Sequence, residues 1–171
     1  GQQKSIYFLG AGLINSSAAL NPARQNQWQD LVHLTAAGST GCGSQVTIDN
    51  SSLNPSIKDG EVGTVADFDA AAPPGGAQAR GAVGEEILGR AGSCDVIVAF
   101  TDPSSSSVQG TFTQSFGIGS EAPDDASFLE RKRLFQNAVW WLLRCAICQD
   151  VSMGVMAGAN SEQSNVGEEL T

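Results

Sequence analysis

Three observations predict an α/β domain built as a three-layer sandwich on a short, mostly parallel sheet. Strand-like and helix-like stretches alternate along the chain. Residues 94–100 (CDVIVAF) are apolar on both faces, as a central parallel strand covered by helices would be. A long amphipathic stretch, SFLERKRLFQNAVWWLLRCA, closes the order with Phe128, Phe135, Ala138, Val139, Leu142 and Ala146 at helical spacing.

A length of 171 residues suits one domain of ordinary size, with room for a fragment of a second. Eighteen acidic residues against nine basic ones give a net charge of -9, which excludes attraction to a phosphate backbone or an anionic lipid surface. No apolar run approaches the roughly 20 residues needed to span a bilayer, and residues 6–9 are too few for a signal-peptide core. Four cysteines in a chain rich in Gly, Ser, Asn and Gln point to an exported protein, its export signal removed or lying outside this sequence.

The elements follow in order. Residues 4–10 (KSIYFLG) form a short apolar run ending in glycine, a buried first strand. Asn21 before Pro22 is an N-cap followed by a first-turn proline, and Trp28, Leu31, Val32 and Thr35 continue a helical face to Gly38. Residues 45–48 (QVTI) are a second strand, residues 49–63 an irregular connection, and residues 64–68 a weak third strand. After the loop AAAPPGGAQARG, the spacing of Ala82, Val83, Ile87 and Leu88 predicts a helix closed by Gly92. The strand at 94–100 ends in the polar loop TDPSSSSVQG, residues 111–118 form a last strand, and Ser127 with Glu130 is a capping-box start for the closing helix. Right-handed connections between these units would make the sheet parallel.

Past Asp150 the pattern changes, with Val151, Met153 and Val155 alternating with small or polar residues. The chain is therefore divided into a domain over residues 1–150 and a segment over residues 151–171, either a tail, an added edge strand, or the start of something further. Asp150-Val151 and the segment VGEELT (166–171) resemble the first strand of the immunoglobulin-like repeats of bacterial surface proteins.

Residues 9–12 (LGAG), 95–108 (DVIVAFTDPSSSSV) and 116–120 (FGIGS) before RKRLFQNAVWWLLR resemble the flavodoxin-like fold of class I glutamine amidotransferase-like and ThuA-like domains. That resemblance implies a nucleophilic cysteine on a strand-to-helix elbow with a histidine and an acid beside it. The sequence departs from this. Cys42 precedes a strand instead of following one, and the single histidine, His33, falls inside the first predicted helix as a helix-face residue. Ser104 to Ser107 follow the central strand where α/β proteins place ligands, with Asp102 adjacent, yet no G-x-S-x-G elbow is present. Gly10-Ala11-Gly12 falls short of the dinucleotide fingerprint because position 15 is Asn. Asp67, Asp69, Asp124 and Asp125 lack EF-hand spacing. No cofactor or metal is expected. A weak ligand site is drawn at the strand-end loops, from Gly10, Gly12, Asn15, Asp102, Ser104 and Ser105.

Cys145 and Cys148 sit at the carboxyl end of the closing helix, where the helix dipole disfavours a thiolate, so a structural role is expected. Parallel order would gather them with Cys42 and Cys94 at the amino edge of the sheet. In an oxidising compartment this gives two disulfides in one of three connectivities, and in a reducing one a four-cysteine zinc site. The composition favours the disulfides. The function expected is that of a non-catalytic extracellular module of a larger secreted or surface protein, in assembly with itself or neighbouring domains, adhesion or glycan contact. The alternative is a hydrolase or sugar-modifying enzyme working from those loops.

Overall fold

The computed structural model describes residues 5–10, 13–14, 21–36, 42–49, 59–70, 74, 77–102, 110–119 and 125–146, with the side chains of 144–146 excepted. Its elements begin with β1 (Ile6–Leu9), α1 (Pro22–Val32), β2 (Leu34–Ala36), β3 (Gln45–Ile48), β4 (Asp59–Gly60) and β5 (Gly63–Thr64). They continue with β6 (Phe68–Asp69), β7 (Ala77–Ala79), β8 (Glu85–Ala91), β9 (Cys94–Thr101), β10 (Gly110–Gln114) and α2 (Ala126–Ala146).

Six strands form the main sheet in the order β1-β10-β9-β8-β3-β6. Among the described residues only β1 and β10 pair in parallel, while β10–β9, β9–β8, β8–β3 and β3–β6 are antiparallel. Strand outweighs helix and the mixed sheet curls into a half-barrel. This overturns the expected flavodoxin-like, mostly parallel three-layer sandwich.

The correction has a local cause at residues 82–90. Their apolar spacing reads as a helix, but residues 82–84 lie in a turn and those from Glu85 on form β8, joined to β9 by the two-residue loop Gly92-Ser93 between the paired residues Ala91 and Cys94. Gly92 has φ 62°, the left-handed value that the first position of a type II′ hairpin turn requires. A hairpin makes its strands antiparallel by construction, so the predicted strand-helix-strand crossover is absent here. The bulge at Gly89, where the register with β9 shifts, bends β8 and adds curl.

Two apolar clusters cover the sheet. Tyr7, Val46, Phe68, Val96 and Phe112 meet Phe116, Leu134, Ala138 and Trp141 on the α2 side. On the opposite side, Phe8 and Val98 pack under Leu13, Ile14, Val32, Leu34 and Ala77. Tyr7 and Phe8 divide between these clusters as strand alternation demands. Thus β9 is buried on both faces, as its composition implied, but by a helix on one side and by α1 with the β2–β7 ribbon on the other.

The termini of both helices differ from expectation. α1 stops at Val32, and the segment read as its last turn is β2, paired with β7. α2 begins one residue before Ser127, and it is Asp125 whose carboxylate accepts from Phe128 N at 3.0 Å. Ser127 Oγ instead accepts from Asp69 N at 3.0 Å. One turn on, Arg131 is 1% exposed and donates to Ile118 O, Asp69 O and Asp125 Oδ2 while lying over the Phe128 ring. A buried guanidinium with every contact an acceptor locks α2 to the end of β6.

Candidate functional site

The site begins at the end of α1. Asn21 accepts from Arg24 N at 3.0 Å and Pro22 opens the helix, so its start is well determined. At its other end His33 adopts φ 57°, ψ 23°, the left-handed region. Among the described residues it is the one non-glycine with positive φ, a conformation that costs a side-chain-bearing residue and persists where the surroundings hold it. Three contacts hold it. The imidazole stacks on Phe100 with centroids 3.8 Å apart and planes 20° from parallel, Nδ1 lies 2.9 Å from Glu85 Oε1, and the carbonyl accepts from Arg80 N.

Glu85 is itself fixed. Its side chain is 3% exposed, and Oε2 accepts from Gly81 N at 2.6 Å and Ala82 N at 3.1 Å. The turn that wraps this carboxylate depends on Gly81 at φ 74° and Gly84 at φ 95°. An ionised carboxylate only accepts, so Nδ1 is the donor in this contact, and in that tautomer of the imidazole Nε2 is the acceptor. No described residue bonds Nε2.

These groups open onto a cleft of about 370 Å³. His33, Phe100, Ala82 and Val83 supply its apolar wall, and Asp30, Arg80, Glu85 and Asp102 its polar rim. Arg80 pairs with Asp30 and donates to Gln29 Oε1 at 3.1 Å. Three carboxylates against one guanidinium leave the rim at a formal charge of -2 with the ring neutral.

Of the residues expected to bind ligand, Asp102 lies in this cleft and Gly10 does not. β1 runs parallel to β10 and β10 antiparallel to β9, so Ile6, Thr111 and Phe100 lie in line across the sheet. The carboxyl end of β9 is therefore level with the amino end of β1, and Gly10 is at the opposite edge. Gly12, Asn15, Ser104 and Ser105 lie outside the described residues. Cys42 and Cys94 form a disulfide, with Gly43 and Gly92 backbones in close approach beside it. The Cys145 side chain and Cys148 lie outside the described residues. Among those that are described, no three His, Cys, Asp or Glu side chains are grouped to hold a metal. No described helix is long and apolar enough to cross a membrane.

Reading His33 as a helix-face residue missed the site. The signal for its partner, Glu85, lay in the glycines at 81 and 84, which mark a turn and not a helix. No family model, curated protein or solved structure matches the chain.

Proposed function

We propose that the chain is a non-catalytic module of an exported or cell-surface protein, serving in assembly, adhesion or glycan contact. The observation that carries this reading is the Cys42–Cys94 disulfide, because such bonds persist in oxidising compartments and are rare in reducing ones. Support for assembly comes from α2, where Leu129 and Trp140 are 56% and 50% exposed. They are three helical turns apart and so share its outer side. Mapping disulfides by mass spectrometry in protein taken from its native source without reductant should recover the Cys42–Cys94 peptide pair. Sedimentation should show self-association that Trp140→Ser weakens. Free thiols at both positions would remove the basis for export.

A hydrolase or sugar-modifying enzyme is the second reading, and one observation favours it. The His33–Glu85 pair has the form of an imidazole oriented by a carboxylate, and both residues line a cleft that Asp102 also lines. Turnover of chromogenic esters or glycosides by the wild type, lost in His33→Asn, is the outcome this reading requires.

A further inference from the structure

The geometry points to a subsite for one neutral hexopyranose ring in the His33 cleft. This rests on the glycan-contact reading above. A pyranose presents an apolar C–H face and an edge of hydroxyls that both donate and accept, and the cleft offers a counterpart to each. Phe100 and His33, stacked at 3.8 Å, form with Ala82 and Val83 an apolar wall. His33 Nε2 and the Asp102 carboxylate accept from hydroxyls, and the Arg80 guanidinium donates to them.

Charge selects among sugars. A rim at -2 on a chain at -9 repels uronates, sialates and sugar phosphates. A cation fares little better. Both oxygens of Glu85 are consumed by Nδ1 and two backbone N–H groups, and Asp30 is paired with Arg80.

Preorganisation favours the same conclusion. The imidazole is held by its stack, by Glu85 and by its own left-handed backbone, so little side-chain freedom is lost when a ligand arrives. A volume of about 370 Å³ is at the small end for ligand pockets and suits a single ring. Affinity for a ligand of that size is expected in the millimolar range.

Because His33 is the one histidine, its imidazole C–H resonances give a unique probe in the full 171-residue chain. The experiment titrates methyl β-glucopyranoside, methyl α-mannopyranoside, methyl β-galactopyranoside and N-acetylglucosamine, each beside glucuronate. A saturable shift of the His33 signals is expected with at least one neutral sugar, and at least tenfold weaker binding for glucuronate. Val83 is 81% exposed, so Val83→Asp keeps the fold and should weaken binding at least tenfold by placing a carboxylate on the apolar wall. Asp102→Asn should weaken it less. No saturable shift with any of the neutral sugars, or identical titrations in Val83→Asp, would overturn the subsite. Release of methanol during titration would uphold it while sinking the non-catalytic reading. Failure of the subsite leaves the disulfide and self-association results to judge the exported module separately.

Discussion

Arg131 Nη2 lies 2.9 Å from Asp125 Oδ2, and the same carboxylate caps α2 through its other oxygen. One acid thus serves the helix end and the buried cation together. Removing the cation leaves Asp69 O and Ile118 O without the donor that satisfies them. Arg131→Met is expected to cost roughly 3 kcal/mol, read from urea unfolding, since breaking a buried polar network strands its acceptors. A loss under about 0.5 kcal/mol, the scale of an ordinary surface change, would show the network to be ornamental.

Asp125 is held below its ordinary value of 3.8, first by the backbone N–H of Phe128, then by Arg131. A lowered folded value means the carboxylate contributes its stability above the unfolded value, and loses it as pH falls through the folded one. Asp125→Asn keeps a capping side chain but not the charge. The stability gap between wild type and this variant should be constant above about pH 5 and close progressively below 3.8. A gap unchanged down to pH 2 would contradict this.

Thr113 is fully buried and its hydroxyl has no hydrogen-bond partner among the described residues. Its neighbours across the sheet are Phe8 and Val98, both apolar. Thr113→Val replaces the hydroxyl by a methyl of similar shape and should stabilise by about 1 kcal/mol. Calorimetry should record a rise of about 2 to 4 °C in Tm.

A β carbon at Gly89 would sit 2.6 Å from Ile97 Cδ1 and 3.3 Å from Val46 Cγ1. Both neighbours are fully buried, so neither can swing away. Gly89→Ala should cost about 1 to 3 kcal/mol by overpacking. Adding Ile97→Val, which deletes the clashing methyl, should recover part of that loss.

The Cys42–Cys94 bond spans 52 residues. A loop of that size corresponds to about 4 kcal/mol of unfolded-state entropy. Serine at both positions should lower Tm in non-reducing buffer, and reductant should then lower the Tm of the variant by less than it lowers that of the wild type.

Individual elements were legible where a local signal had no competitor, but the fold class was not. The Asn21-Pro22 start of α1, the doubly apolar β9 and the α2 periodicity all depend on neighbours in sequence. Strand direction does not. The helical spacing of Ala82, Val83, Ile87 and Leu88 joined two different elements, a turn and the strand β8 that follows it, and it concealed the hairpin that sets the sheet antiparallel. The positions of Cys42 and Cys94 just before strands placed them at one edge but left three connectivities open, and the structure pairs these two. The cleft was illegible for a different reason. His33 and Glu85 are 52 residues apart, and their meeting depends on β8 being a strand.

Tyr7 donates to Gln114 Oε1 across 107 residues of chain, within the single described parallel pair, β1 with β10. During synthesis β1 therefore emerges long before its partner. At about 5 to 20 residues per second, the wait is on the order of 5 to 20 s. Through that interval Tyr7 and Phe8 lack the strand they pair with, although β3, β8 and β9 can already pair with one another. Of the strands described, β1 is the first to be made and must await the last before it can take its place in the sheet.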